Sequence, residues 1–276
     1  MKFHKMQGTA NDFLVVDGRD AATRDWAAIA VRQCDRRLGV GGDGLLVLED
    51  SERDDFRMRY HNADGGEAEM CGNGIRCMAK FVLDTGVTDR RDLTWETLAG
   101  PIATEVLAHD GAVATVRVDM GAPRFRPSEI PVVAEGDEVR EAPFDVDGQA
   151  LALTCVGMGN PHAVAVVASV TDFPLDRIGP LVEHHPAFPH RTNFEIVEVL
   201  SPDHLLMRVW ERGVGETMSC GTGACAVAVA GQLVRGTSAE VAVAVPGGLL
   251  TVDWKPGQDV MLSGPAETSF TGEFLD

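Results

Sequence analysis

Two cysteines, Cys71 and Cys220, hold the same position in two copies of one short motif. Residues 66–74 read Gly-Glu-Ala-Glu-Met-Cys-Gly-Asn-Gly, and residues 215–223 read Gly-Glu-Thr-Met-Ser-Cys-Gly-Thr-Gly. A cysteine just ahead of a helix has its sulfur near unpaired backbone N–H groups and the positive end of the helix dipole, which lowers the pKa of the thiol. The glycines after each cysteine let the backbone approach a ligand closely. The motif therefore predicts two reactive thiols.

Paired thiols suit the exchange of a proton at a stereocentre. With one sulfur on each face of an α-carbon, about 3–3.5 Å away, a thiolate can remove the α-proton while a thiol returns one to the opposite face. The helix ends can also bind the neighbouring carboxylate. The other four cysteines sit in apolar periodic patterns and are expected to be packing residues: Cys34, Cys77, Cys155 and Cys225.

The repeat continues upstream of the cysteines at the same offset of 149 residues. At this offset Gly8–Asn11 aligns with Gly157–Asn160, and the apolar Trp26 aligns with Leu175. Two copies of one unit can face each other across a pseudo-two-fold axis. That arrangement would bring the two cysteines to opposite sides of one small ligand.

The copies differ at two positions that matter for acid/base chemistry. Phe13 aligns with His162, and Asn62 aligns with Glu211. At these two positions only the second copy carries titratable side chains. The two sides of the site would therefore differ, and this difference could orient the substrate.

Hydrophobic periodicity predicts matching elements in both copies. The first copy has strands at 14–16, 45–48 and 56–60, a helix from about Thr23, whose hydroxyl is a candidate N-cap, and a helix from Cys71 to before Gly86. The second has strands at 164–167, 194–199 and 206–210, a helix near 175–182, and a helix at 224–234. This last helix is apolar on every face, so it must be buried on all sides.

These elements predict an α+β fold of two pseudo-symmetric lobes, each a curved mixed sheet or barrel wrapped around a central helix. Both halves end in hairpin-like stretches, 94–120 and 241–262. The first lobe is assigned residues 1–121 plus 266–276, and the second residues 122–265. The unpaired segment 124–149 is expected to combine the linker with an extra edge element. Edge strands on both lobes would permit a homodimer.

Composition excludes several classes of protein. The net charge of −18 and the absence of a basic run argue against nucleic acid as a partner. No apolar run has the length of a signal peptide core or a membrane span, so a cytoplasmic location is expected, with no membrane partner. Six cysteines without a Cys-x-x-Cys pair are expected to be thiols rather than disulfides, zinc ligands or iron–sulfur ligands.

Five segments together resemble the motifs of diaminopimelate epimerases, in the family's order and over nearly the whole chain. They are Met70–Cys77, Met158–His162, Arg191–Glu195, Trp210–Gly213 and Ser219–Ala224. The resemblance implies an epimerase that interconverts LL- and meso-diaminopimelate, a small-molecule substrate, for lysine and peptidoglycan synthesis. It also implies that the reaction needs neither pyridoxal phosphate nor metal.

The same resemblance implies roles for individual residues. Cys71 and Cys220 would be the acid/base pair, and His162 and Glu211 would keep the thiols in the right protonation states. The side chains that would hold the substrate are Asn11, Asn62, Asn160, Asn193, Glu211 and Arg212. Backbone amides at Gly72, Asn73, Gly221 and Thr222 would take the reacting carboxylate. Arginine and amide side chains suit this task, because they bind carboxylate and ammonium groups through directed hydrogen bonds.

One position departs from the family, and several alternatives stay open. Many members carry glutamine where this chain has Gly44, so one polar contact is expected to be missing here. A proline or hydroxyproline racemase would use the same two-cysteine mechanism. Its small cyclic substrate, however, would leave Asn160, Asn193 and Arg212 without binding partners, because these residues are expected to hold the end of diaminopimelate that does not react. A related isomerase of aromatic precursors lacks the cysteine pair. A thiol redox sensor and a non-catalytic amino-acid-binding protein are the alternatives from other classes.

Overall fold

The computed structural model describes residues 1–20 and 24–275, and the chain divides into two compact units. The first unit is Met1–Asp119 with Ser263–Asp276, and the second is Met120–Leu262. The predicted N-cap Thr23 lies outside the described residues. The first helix begins at Trp26 and has Asp25 as its N-cap, with a carboxylate oxygen that accepts a hydrogen bond from the backbone N–H of Ala28.

Within its described residues, the first unit has eight strands, most of a ninth, and two helices. The strands are β1 (Lys2–Gly8), β2 (Asn11–Asp17), β3 (Gly44–Glu49), β4 (Phe56–Asn62), β5 (Glu67–Ala68), β6 (Asp92–Thr97), β7 (Gly100–His109), β8 (Val113–Asp119) and β17 (Met261–Glu273). The helices are α1 (Trp26–Cys34) and α2 (Gly72–Asp84).

Eight of these strands close into a barrel around α2. The order is β17–β1–β2–β3–β4–β6–β7–β8, and β8 pairs again with β17. The β2–β3 and β4–β6 pairs are parallel. Helix α2 packs on six barrel strands and is buried from Gly72 to Val82. A helix in this position needs side chains that suit burial on every face.

The second unit repeats this order of elements. Its strands are β9 (Ala142–Val146), β10 (Gln149–Gly157), β11 (Pro161–Val166), β12 (Asn193–Ser201), β13 (His204–Glu211), β14 (Gly215–Thr217), β15 (Glu240–Val245) and β16 (Gly248–Asp253). Its helices are α3 (Leu175–Glu183) and α4 (Gly221–Arg235). The sheet runs β10–β11–β12–β13–β15–β16, and the β11–β12 and β13–β15 pairs are again parallel.

Helix α4 has the burial that its apolar sequence predicts. Residues Gly223 to Gly231 are buried without interruption, and the helix contacts the six strands just named. It ends at Gly236, whose φ of 65° is the left-handed conformation that glycine adopts readily at a helix C-terminus. The predicted α+β fold, with a curved sheet around a central helix in each half, is confirmed.

The unpaired segment 124–149 and the C-terminal stretch assigned to the first lobe both contribute strands. The segment 124–149 contributes β9, which pairs with β10 at the edge of the second unit's sheet. Residues 267–273 pair with β1 in the first unit. Among the described residues, none of the helices has both the length and the apolar character needed to span a bilayer.

Candidate active site

Cys71 is the N-cap residue of α2, as the sequence predicts. Its backbone is extended, with φ −140° and ψ 116°, and its Sγ accepts a hydrogen bond from the backbone N–H of Gly74 at 3.4 Å. The side chain is half-buried. The first N–H groups of a helix have no intrahelical acceptor, so they can bind an anion beside this sulfur.

Cys220 is placed in the same way at α4 in the second unit. Its φ of −125° and ψ of 114° match those of Cys71, and its Sγ accepts from the N–H of Gly223 at 3.4 Å. The Thr222 hydroxyl oxygen also lies 3.4 Å from this sulfur. Both predicted cysteines therefore begin a helix with the same local geometry.

The predicted lowering of the thiol pKa is wrong for Cys220. Burial raises the pKa of this thiol well above its ordinary value, and the negative charges of Glu211 and Glu195 raise it further. The hydrogen bonds from Thr222 and Gly223 lower the pKa by less than these effects raise it. Cys220 therefore rests as a neutral thiol, which is the form that can donate a proton.

Glu211 is the carboxylate that contacts the Cys220 thiol. Burial raises the pKa of Glu211, the charge of Glu195 raises it further, and hydrogen bonds from Thr217 and Cys220 oppose the shift. A carboxyl and a thiol that are both shifted toward their neutral forms can share one proton between them.

In the first unit, Asn11 and Asn73 lie beside Cys71. Asn11 Oδ1 is 3.7 Å from Cys71 Sγ and accepts from Asn73 Nδ2 at 3.2 Å. The other end of the Asn11 amide donates to Asp43 Oδ2 at 2.6 Å, and Arg36 contacts Asp43 at 2.8 Å. The sequence does not predict Asp43 as part of this group. The sequence feature that could have indicated Asp43 is an acidic residue flanked by glycines, in the segment Gly-Gly-Asp-Gly at 41–44.

Arg76 is a second residue of this group that is not predicted from sequence. Its guanidinium is fully buried in α2 and donates to Asn73 Oδ1 at 2.9 Å and to the Gly72 carbonyl at 3.1 Å. It also donates to Thr9 Oγ1 and to the Pro265 carbonyl. Arg76 thus fixes the Asn73 side chain and places a positive charge in the first turns of α2. The sequence feature that could have indicated this role is an arginine at position 76 within an otherwise apolar helical pattern.

In the second unit, Asn160 and His162 form a chain of contacts that leads to Thr222. His162 is fully buried, and its Nε2 lies 2.8 Å from Asn160 Oδ1. Asn160 Nδ2 donates to Thr222 Oγ1 at 3.3 Å. The other ring nitrogen, Nδ1, lies 2.7 Å from Oε1 of Glu195. Glu195 is not predicted from sequence, although an acid within the apolar strand β12 must have a partner when it is buried.

Asn193 and Arg212 differ in how the protein uses them. Asn193 is buried, donates to the Pro161 carbonyl at 2.9 Å and accepts from the backbone N–H of Arg212 at 2.9 Å. Its amide therefore holds two backbone segments. The Arg212 side chain is exposed, and its Nη1 reaches the His190 carbonyl at 3.4 Å. The remaining predicted residue, Asn62, is half-buried at the end of β4 and is in register with Gly44 of β3.

The turn that carries Arg212 rests on another buried acid, Glu183 of α3. Glu183 accepts hydrogen bonds from Trp210 Nε1 and from the Gly213 N–H, each at 2.8 Å.

Among the residues that the structure describes, no group of three or more His, Cys, Asp or Glu side chains is arranged to hold a metal ion. The chemistry that these residues support is proton transfer by thiols, with carboxylate binding at helix N-termini.

Comparison with known proteins gives one consistent family. The family model described as diaminopimelate epimerase matches residues 3–126 and 154–269. Diaminopimelate epimerase from Desulforudis audaxviator is 50% identical over 277 residues, covering 100% of this chain and 99% of the relative. The enzymes from Moorella thermoacetica and Methanococcus maripaludis are 48% and 44% identical, each covering 99% of both chains.

Solved structures with low sequence identity share the fold. A phenazine biosynthesis protein of the PhzF family from Bacillus anthracis has a TM-score of 0.73 at 18% identity and covers 100% of this chain and 99% of its own. A hydroxyproline epimerase from Agrobacterium vitis, bound to trans-4-hydroxy-L-proline, has a TM-score of 0.67 at 15% identity, with 99% and 91% covered.

Proposed function

The chain belongs to the diaminopimelate epimerase family, and we propose that Cys71 and Cys220 are the two acid/base groups of its reaction. The protein is an isomerase of lysine biosynthesis that interconverts LL- and meso-diaminopimelate, a small-molecule substrate. One observation carries the proposal. In each unit a cysteine caps the central helix, and its sulfur accepts the N–H of the glycine three residues later.

The reaction needs one base and one acid at the same α-carbon. The thiolate of one cysteine takes the α-proton, and the electron pair left on carbon is stabilised through the carboxylate by helix N–H groups. The thiol of the other cysteine then gives its proton to the opposite face, which inverts the configuration. The chain's own residues supply and accept both protons.

The substrate contacts are proposed from the same two groups of residues. Backbone amides of Gly72, Asn73, Gly221 and Thr222 would bind the reacting carboxylate, since they begin α2 and α4. The substrate's remaining polar groups would be held by Asn11, Asn62, Asn160, Glu211 and the exposed Arg212. Asn193 would act through Arg212, whose backbone it holds. Glu211 would tune Cys220 by direct contact, while His162 would reach Cys220 through Asn160 and Thr222.

Exchange of the α-proton in D2O tests this proposal. Reduced protein is incubated with LL-diaminopimelate, and NMR follows deuterium at one α-carbon together with the meso isomer. Cys71→Ala and Cys220→Ala should each abolish isomerisation. Cys34→Ala, which removes a buried thiol of α1, is the matched control and should retain it. Isomerisation that survives in either active-site variant would contradict the two-thiol assignment.

A cytoplasmic location and a homodimer are also proposed. None of the six cysteines, all within the described part of the chain, is joined in a disulfide, and a reducing compartment such as the cytoplasm keeps thiols in this form. Two apolar side chains of the first unit, Leu38 and Leu275, are almost fully exposed and are candidates for an interface. Sedimentation equilibrium at several protein concentrations would establish whether the chain is monomeric.

A further inference from the structure

Glu183 is a buried carboxylate of the second unit that the proposed mechanism does not use. It is the last residue of α3. Its Oε2 accepts from Trp210 Nε1 and its Oε1 accepts from the Gly213 N–H, each at 2.8 Å. Both partners are N–H groups that can only donate, so both oxygens of the side chain must act as acceptors. A carboxylate meets this need, whereas an amide has a single oxygen.

The two hydrogen bonds also keep Glu183 ionised. Burial raises the pKa of this carboxyl, but the hydrogen bonds from Trp210 and Gly213 and the neighbouring His184 and Arg191 act the other way, and the net shift of the pKa is downward. Hydrogen bonds to an ionised carboxylate are stronger than those between neutral groups. Glu183 therefore holds its two donors firmly.

Helix α3 lies close against the Trp210 side chain because Gly179 has no side chain. A Cβ at Gly179 would come within 2.6 Å of Trp210 Cγ. Residues four apart share a face of a helix, so Glu183 lies one turn further along the face that meets the indole. This close approach places the carboxylate beside the indole Nε1 and the turn that follows Trp210.

The peptide groups on both sides of Arg212 are held by side chains. The Arg212 N–H donates to Asn193 Oδ1 at 2.9 Å. The next N–H, of Gly213, donates to Glu183. The other end of the Asn193 amide donates to the Pro161 carbonyl, so its orientation is fixed by backbone groups. Because peptide groups are planar, these two contacts set the direction in which the Arg212 side chain leaves the backbone.

The guanidinium end of Arg212 reaches a second segment that Glu183 contacts. Arg212 Nη1 lies 3.4 Å from the His190 carbonyl oxygen. The next residue, Arg191, has its Nη1 3.5 Å from Glu183 Oε1. The carboxylate thus contacts the segments at both ends of the Arg212 side chain.

The internal repeat shows that the carboxylate and the arginine occur together. At the offset of 149 residues, Cys34 aligns with Glu183 and Ala63 aligns with Arg212. The first copy therefore has neither residue. A carboxylate needed only for the fold of the repeated unit would not have to accompany the arginine.

We propose that Glu183 is a positioning residue for substrate binding, which together with Asn193 fixes the backbone of Arg212 so that its guanidinium meets the carboxylate at the end of the substrate that does not react. This inference rests on the proposed role of Arg212. An exposed arginine on a free turn would lose conformational entropy when it binds. The held turn reduces that cost before the substrate arrives.

Hydrogen exchange of the Gly213 N–H in the substrate-free protein tests the first step. Glu183→Ala removes both acceptors, and the Gly213 N–H should exchange at least about tenfold faster, because a hydrogen bond to a charged group is lost. Glu183→Gln preserves the volume and should show a smaller increase, since one oxygen serves two donors. Glu198→Gln is the matched control, because Glu198 also accepts a backbone N–H, that of Val170.

Unchanged exchange at Gly213 in Glu183→Ala would overturn the proposal. Should Glu183→Ala not fold, unchanged exchange in Glu183→Gln would do the same. This measurement needs no substrate, so its result is separate from whether the protein isomerises diaminopimelate.

Steady-state kinetics with a double variant tests the second step. Glu183→Ala should raise KM for diaminopimelate about tenfold, with kcat nearly unchanged, since Arg212 would contact a part of the substrate that the reaction leaves alone. In an Arg212→Ala background, adding Glu183→Ala should cost nothing further, because its effect passes through the arginine. A loss in kcat/KM of equal size with and without Arg212 would mean a merely structural role and would overturn the proposal.

Discussion

The 2.6 Å hydrogen bond from Asn11 Nδ2 to Asp43 Oδ2 fixes which end of the Asn11 amide faces Cys71. Because the NH2 group is held by the carboxylate, the amide oxygen is the end that meets the sulfur and the Asn73 side chain. Asp43 is in turn held by Arg36, which also pairs with Asp12. An anchored amide can contact a substrate without the entropy cost of orienting a free side chain.

Asp43→Asn should therefore weaken catalysis through Asn11. The new amide can donate as well as accept, so Asn11 loses its fixed orientation while the volume is unchanged. A charged hydrogen bond of this kind contributes about 1.5–3 kcal/mol, so we expect kcat/KM to fall roughly tenfold to a hundredfold. Steady-state kinetics measures this, with the exposed Asp89→Asn as the control. Unchanged kinetics in Asp43→Asn would show that the orientation of Asn11 is unimportant.

Stability should decrease at alkaline pH because of the buried thiols. Burial raises the pKa of Cys77 and of Cys155 from 9.0 to about 12, and that of Cys34 to about 11. The folded protein keeps these protons after the unfolded chain has lost them, so the stabilisation is complete below pH 9 and is lost as pH rises toward 12. A thiol whose acid dissociation is tenfold weaker in the folded state changes the folding equilibrium constant by up to about tenfold.

Urea unfolding in reductant at several pH values measures this effect. The free energy of unfolding should fall steadily above pH 9, the ordinary value of these thiols. Cys155→Ala should lower stability at neutral pH, since it leaves a small cavity, and should also make the decline with pH less steep. A decline of the same steepness in wild type and variant would mean that Cys155 contributes nothing to it.

Much of the architecture follows from sequence, whereas the partners of the site residues do not. The glycine-flanked cysteines predict both helix starts, and the all-apolar 224–234 segment predicts a buried helix. The contact between His162 and Glu195 depends on β11 lying parallel to β12. Periodicity identifies strands but does not say which strands pair. The sequence therefore marks His162 as a candidate and leaves its partner unnamed.

The Cys220 thiol shows the same limit for electrostatics. A helix N-terminus alone predicts a lowered pKa, and this local effect is present as a hydrogen bond from Gly223. Burial, together with carboxylates brought in by β12 and β13, outweighs it. The sequence around Cys220 predicts the helix N-terminus, which lowers the pKa of the thiol. The carboxylates that help to raise the pKa instead come from other strands, so the local sequence does not predict them.

Gly44→Gln should destabilise the protein rather than restore a family contact. A Cβ at this position would come within 2.5 Å of Tyr60 Cε2 and 2.6 Å of the His61 carbonyl oxygen, and a backbone atom cannot move aside cheaply. Overpacking of this kind costs about 1–3 kcal/mol, so the melting temperature should drop. Thermal denaturation and KM together measure the outcome. A stable variant with a lower KM would show that β3 adapts to the larger side chain.

Gly223→Ala should impair catalysis because the first turn of α4 has no room for a methyl group. The new Cβ would lie 2.8 Å from Glu195 Oε1 and 3.3 Å from Cys220 Sγ, so the carboxylate and the sulfur cannot both keep their places. Gly231→Ala is the matched control in the same helix, since its nearest neighbour is the Thr237 side chain at 3.3 Å. We expect kcat to fall about tenfold or more in Gly223→Ala, as a displacement near the reacting atoms disturbs their alignment, and to change little in Gly231→Ala. Equal losses in both variants would place the defect in the helix as a whole and not in the geometry around Cys220.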